Sequence, residues 1–209
     1  LASVLTTGYR GGIEVVVVDD GSDDATAALV DRAACGDGRI RLIRQAQKGK
    51  AAALNTALRA AAHELIVMLD ADTQFRPDTI GRLLFPLRNR EVGAVSGHAR
   101  VGNRTAWVTR FQSLEYTCGF NLDRRAYDQW NCVTVVPGAV SAFRKSAIID
   151  AGGLSEDTMA EDTDLTLMLH RLGYRVAYAP TAVALTEAPD TIAGLVRQRT
   201  RWAFGTLQC

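Results

Sequence analysis

The decapeptide Glu64–Thr73, ELIVMLDADT, runs five apolar residues, Leu65 to Leu69, straight into two carboxylates separated by one alanine. A continuous apolar run of this length fits a strand covered on both faces, as in parallel sheets flanked by helices. In such sheets ligands bind beyond the carboxyl ends of the strands. Side chains alternate along an extended chain, so Asp70 and Asp72 lean the same way, with Ala71 leaving room between them. Two carboxylates so close repel unless a cation sits between them. An isolated pair of this kind more often closes a strand and caps the next helix, so the surrounding sequence has to discriminate.

Upstream, Ile13–Val18 (IEVVVV) is a second β-branched strand that also ends in acid, Asp19 and Asp20, followed by Gly21 and Ser22. Ser22 or Asp23 is placed to cap a helix from Ala25 to about Ala34, with Gly36 to stop it. Ile40–Arg44 reads as a third strand, and KGKAAALNTALRAA as a helix with Leu54, Ala57, Leu58 and Ala61 on one face. Leu1–Tyr9 reads as the tail of an amphipathic helix ending near Gly8, which suggests an element begun further upstream. This alternation predicts an α/β fold with a parallel, doubly wound sheet. No GxGxxG follows the first strand. Lys48, Gly49 and Lys50 do not make a P-loop, because Arg44 stands where its first glycine is required and Ala51 where it needs Ser or Thr. What survives is a phosphate-rich ligand of another kind, with Asp20, Asp70 and Asp72 at strand ends and Lys50 as counter-charge.

Downstream, Pro77 suits the first turn of a helix over 78–88, and Val92–Val101 predicts a bent strand with two glycines. Trp107–Arg124 predicts a long helix weakened at Cys118 and Gly119. Asn131–Arg144 (NCVTVVPGAVSAFR) reads as two strand pieces broken at Pro137 and Gly138, where backbone can approach a ligand. Ser146 is placed to cap a short helix to Asp150, and Tyr174–Tyr178 predicts a short strand ended by Pro180. In AEDTDLTLMLHRLG, Leu165, Met168, Leu169 and Leu172 mark a helix face and Gly173 the stop. Its opening acids complement the helix dipole. Asp164 is read as a cap and Glu161 as a cap or ligand group, whereas Asp162, a carboxylate facing a cleft, suits a general base. In the last helix, 191–207, Gln198, Arg201 and Trp202 share a face. A guanidinium pairs with phosphate oxygens and an indole stacks on a pyranose ring.

The chain has 209 residues, is 47% hydrophobic and carries formal charge +1, which fits one α/β domain with a substantial core. Its basic residues lack the single-sign field of a nucleic-acid binder. Cys35, Cys118, Cys132 and Cys209 are spaced too widely for a CxxC pair and are expected as reduced thiols in a cytosolic setting. No apolar run approaches the roughly 18 residues of a membrane span.

The ordered set VVVVDDGSDDAT, KGKAAALN, VMLDADT, VVPGAVSAFR, AEDTDL and QRTRW resembles the inverting family 2 glycosyltransferases, specifically the processive membrane synthases of cellulose, hyaluronan, chitin oligosaccharide and poly-N-acetylglucosamine type. The resemblance covers essentially the whole chain, and QxxRW is its most discriminating part. It implies a GT-A fold with a mostly parallel mixed sheet, a UDP-sugar donor (N-acetylglucosamine or glucose), a carbohydrate acceptor and a Mg or Mn ion. It places Asp20 at the uridine, Asp70 and Asp72 at nucleotide and metal, and Lys50 and Glu161 among the substrate-binding groups. Asp162 takes the part of the general base, with Ala160 in place of the family's threonine, and Gln198, Arg201 and Trp202 clamp the diphosphate and the acceptor end. Residues 1–97 become the nucleotide-sugar half and 98–209 the acceptor half. The family's first strand, which precedes the Leu1 helix, and its flanking membrane helices are not found in this sequence. The expected setting is therefore the cytoplasmic face of a membrane, with the membrane engaged through segments flanking this one. The competing readings are a non-processive transferase acting on a lipid or protein and a sugar-nucleotide-binding module without turnover.

Overall fold

The computed structural model describes residues 1–209. A short helix α1 (Ala2–Leu5) leads into β1 (Val15–Asp19), α2 (Thr26–Gly36), β2 (Ile40–Arg44), α3 (Lys50–Ala60) and β3 (Leu65–Met68), the alternation expected from the sequence. There follow β4 (Gln74–Phe75), α4 (Thr79–Leu84), β5 (Val92–Val101), α5 (Trp107–Thr117), α6 (Arg124–Gln129), β6 (Ser141–Arg144), α7 (Lys145–Asp150), α8 (Glu161–Arg171), β7 (Arg175–Thr186) and α9 (Ile192–Gln208).

β1 and β2 pair in parallel as a two-stranded unit, while the remaining strands form one sheet in the order β3-β6-β5-β7-β4. Within it only β5 and β7 are parallel; β6 runs antiparallel to both β3 and β5, and β4 antiparallel to β7. The sheet is mixed, with fewer parallel pairs than the sequence alternation suggests. The alternation ends at β3, and the irregular stretch 131–140 turns the chain so that β6 enters against its neighbours.

β3 is an edge strand, so Leu65, Ile66 and Val67 are only half-buried instead of covered on both faces. Between β3 and β1 lies an apolar slot of about 360 Å³, walled by Val15, Leu54, Leu58, Leu65, Val67 and Phe75.

Alternation along β5 and β6 builds the two core layers. Val95 and Ala142 pack with Leu83 and Leu87 on one side; Ala94 and Phe143 pack with Ile148, Leu165 and Leu169 on the other. The helix expected over 78–88 is cut by Pro86, after which Pro86–Arg88 continue as a 3-10 turn. The weak middle of the long helix becomes a π-helical turn, Cys118–Asp123, between α5 and α6. Asn131–Val140 forms no strand although Val133, Val136 and Val140 are buried; the Thr166 hydroxyl takes up the Val136 N–H at 3.0 Å. β7 continues past Pro180, because a bulge between Ser96 and His98 leaves the proline where no ladder N–H is needed. Ser22, Asp23 and Ser146 do not cap their helices: Asp24 accepts from Thr26 N–H, and Ser146 turns its hydroxyl to Glu64 at 2.6 Å.

The position of α9 is fixed at Gly205. A Cβ there would lie 2.8 Å from Ala160 Cβ and 2.9 Å from Ala160 N, so the helix backbone lies directly on the residue before α8. Met159 N–H donates to Gln208 Oε1 at 2.9 Å and ties the same segment to the end of α9. Gly205→Ala is therefore expected to destabilise by about 1–3 kcal/mol through overpacking, lowering Tm by roughly 2–12 °C. Gly81→Ala, at an exposed helical position with open space around the new Cβ, should hold or raise Tm; equal Tm values for the two variants would contradict this packing.

Candidate active site

A cavity of about 330 Å³ opens where the end of β3, the start of α3, the first turn of α8, the π-helical turn and α9 converge. It gathers Lys50, Asp70, Asp72, Glu161, Asp162, Gln198, Arg201 and Trp202, residues the sequence places far apart. Asp20 is not among its walls. Its two oxygens accept from Gln45 Nε2 (2.7 Å), Lys48 N (2.9 Å) and Gly49 N (2.8 Å). Those bonds, the Gln45 amide first, hold its pKa below the ordinary carboxylate value. Asp20 thus fixes the loop that launches α3, where Gly49 has the left-handed φ of 95°.

Launched from that loop, Lys50 reaches Asp70 at 2.9 Å and Glu161 at 3.1 Å. Burial alone would lower the lysine's pKa, but the two carboxylates outweigh it and hold the value up. The cation thereby relieves the repulsion that would separate the end of β3 from the start of α8. Gly138 makes room for it, since a Cβ there would sit 2.8 Å from Lys50 Nζ and 3.3 Å from Asp70 Oδ1. Glu161, only 8% exposed, is engaged by this pair and does not cap α8.

Asp162, the next residue, has no cationic partner. Burial first, and then the charge of Glu161, raise its pKa, against smaller opposing effects from Lys50 and the N–H groups of Thr163 and Gly138. A carboxylate shifted toward neutrality in a cavity is suited to take a proton. Asp72 accepts from Thr73 Oγ1 at 3.2 Å and Thr186 Oγ1 at 3.3 Å, the latter brought over by the β4–β7 pairing. No cluster of three or more His, Cys, Asp or Glu side chains is gathered for an ion. Hard carboxylate oxygens with few protein ligands nevertheless fit Mg or Mn, which is commonly bound by one or two carboxylates together with substrate phosphates.

The far wall is aromatic. Tyr116 and Phe120 have ring centroids 4.6 Å apart, and Phe120 and Trp202 6.3 Å. Arg199, inside QxxRW, lies 4.5 Å over the Trp202 ring and pairs with Glu115 at 2.6 Å, locking the indole to α5. Arg201 faces the cavity with no carboxylate partner, and Gln198 Oε1 is buried without a hydrogen bond. Sequence reasoning missed Tyr116, Phe120, Arg124, Glu187 and Arg199. The helix break at Cys118 and Gly119 was the available signal, since π-turns concentrate at functional sites.

The sequence profile described as "Glycosyltransferase like family 2" matches residues 1–205. Poly-beta-1,6-N-acetyl-D-glucosamine synthase of Staphylococcus aureus (strain COL) is 32% identical over 206 residues, covering 98% of this chain and 50% of the relative. The Staphylococcus epidermidis protein of the same name is 31% identical with the same coverage. The chain thus spans about half the length of the curated relatives it matches. Among solved structures, a mannosyltransferase from Pyrobaculum calidifontis in complex with GDP-Man and Mn2+ superposes with a TM-score of 0.80 at 26% identity, over 99% of this chain and 58% of that one. The fold is of the GT-A type, and on the profile match the chain belongs to glycosyltransferase-like family 2.

Proposed function

We propose that this domain is the catalytic part of an inverting glycosyltransferase that moves a sugar from a UDP-sugar, N-acetylglucosamine or glucose, onto a growing β-linked polysaccharide. The observation that carries the reading is the placement of Asp162, half-buried and with a raised pKa, in one cavity with Asp70 and Asp72 and with Arg201 and Trp202. Similarity to poly-N-acetylglucosamine synthases favours N-acetylglucosamine.

In the mechanism, Trp202 stacks on the terminal sugar of the acceptor and turns one hydroxyl toward Asp162. Asp162 accepts that proton as the oxygen attacks the anomeric carbon, and the bond to UDP breaks in the same displacement. Arg201 donates to the diphosphate as negative charge develops on it. A divalent cation, held by Asp72 with Asp70 beside it, would supply Lewis-acid neutralisation of the leaving diphosphate. Lys50 and Glu161 keep the two halves of the site at a fixed separation.

The membrane assignment draws support from two helices. Trp107, Phe111 and Leu114 on α5 and Ile192, Val196, Phe204 and Leu207 on α9 are exposed apolar side chains, spaced to line one side of each helix. No helix is long and apolar enough to cross a membrane.

With labelled UDP-N-acetylglucosamine, Asp162→Asn is expected to lower transfer by about 10²- to 10⁴-fold while donor binding persists; unchanged turnover would remove Asp162 from the chemistry. Because folding raises this carboxyl's pKa, its ionisation costs stability as pH rises from the unfolded value through the folded one. The asparagine variant, always neutral, should therefore match or exceed the wild-type Tm at neutral pH. For the same reason the acid limb of the rate profile should fall at a pH above that of an ordinary aspartate, and a limb near pH 4 would contradict this. Chelation should abolish transfer, with recovery on adding Mn or Mg; full activity in chelator would argue against a metal held at Asp72. Finally, Phe111→Glu with Phe204→Glu should reduce flotation of this domain with anionic vesicles, and equal flotation would remove these helices as a membrane contact.

A further inference from the structure

Arg124, the first residue of α6, projects into the active-site cavity from the π-helical turn. Its Nη1 donates to Ser96 Oγ, a fully buried hydroxyl, at 3.2 Å, and its guanidinium carbon lies 5.1 Å from the Phe120 ring centroid. No carboxylate pairs with it, whereas Lys50 is paired twice and Arg199 once. Burial holds its pKa below the ordinary arginine value, and the charges it feels are those of Tyr178, Asp162 and Tyr116. Neither tyrosine supplies an anion: Tyr178, hydrogen-bonded to Asn121 at 3.0 Å, is pushed up to about 12 by burial, and burial raises Tyr116 as well. A guanidinium stays charged, and a desolvated charge without a partner is costly. Four of its five N–H donors are left for something that enters the cavity.

Location selects the ligand. Arg124 lies against Phe120, whose ring meets Trp202, and feels the charge of Asp162, whereas the mechanism above gives the diphosphate to Arg201. The hydroxyl that gives its proton to Asp162 belongs to the acceptor. We infer that Arg124 binds the terminal pyranose of the carbohydrate acceptor, its guanidinium donating to ring-substituent oxygens while Phe120 and Trp202 flank the sugar. This rests on the transferase reading above.

The test uses the full-length enzyme with UDP-N-acetylglucosamine and short β-linked oligosaccharide acceptors, in wild type, Arg124→Met and Arg124→Lys. Loss of hydrogen bonds from a charged donor should raise the acceptor KM roughly ten- to hundred-fold in the Met variant. The donor KM should stay within about two-fold, since Arg201 serves the diphosphate. The Lys variant, which keeps the charge but not the planar fork, should show a smaller rise in acceptor KM. Removing a half-buried cation without an ion-pair partner should leave Tm unchanged or higher; if the Met variant fails to fold, the Lys variant carries the test. An acceptor KM within two-fold of wild type in the folded variants, or an equal rise in donor KM, overturns the assignment. Failure of the wild type to elongate any oligosaccharide overturns the transferase reading and this inference with it.

Discussion

The site depends on one cation between two carboxylates. Lys50 holds Asp70 and Glu161 at 2.9 and 3.1 Å, and the three residues lie at the start of α3, just past β3 and at the start of α8. Without it, carboxylates from β3 and α8 would face each other in a half-desolvated cavity and drive the two elements apart. The arrangement also divides the acids by role. Glu161 and Asp70 share the single charge of Lys50, Asp72 remains available on the solvent side, and Asp162 is left without an ion-pair partner and shifted toward its neutral form. In the proposed mechanism two adjacent carboxylates in one helical turn thus take opposite parts from their surroundings, one a fixed strut and the other the proton acceptor.

The same segment couples the acidic end of the cavity to its aromatic end. Ala160 packs on Gly205, so α9 lies close against the start of α8 and cannot shift without moving Asp162. Arg199 then orients Trp202 from the other side through Glu115. Ala160 stands where the family resemblance expects a threonine, and the contact with Gly205 gives a steric reason for the small residue: a branched side chain would meet the helix backbone.

Much of this was legible in the sequence where chemistry and spacing are local. The run ELIVMLDADT announced a strand ending in paired acids, AEDTDL an acidic helix start, and QRTRW a helix face carrying arginine and tryptophan. What stayed hidden depends on distant partners. The half-exposure of β3 follows from which strands pair with it, and the antiparallel entry of β6 from a turn in an irregular stretch whose buried valines look like strand. β7 runs on through Pro180 because its neighbour β5 bulges there. Asp20 reads as a ligand group because it follows a strand, and its three bonds to the distant β2–α3 loop are not legible in the sequence. Arg124 escaped notice because only the π-helical turn directs it inward, and that turn registered in the sequence merely as a weakened helix.

The central claim is a single displacement at the anomeric carbon with Asp162 as the base. The most direct measurement is the anomeric configuration of the first product formed from an α-linked UDP-sugar, read by proton NMR from the coupling across the anomeric and neighbouring hydrogens before any rearrangement. Inversion by a single displacement gives a β-linked product. An α-linked product would require a second displacement or a front-face route, and would contradict the role given to Asp162.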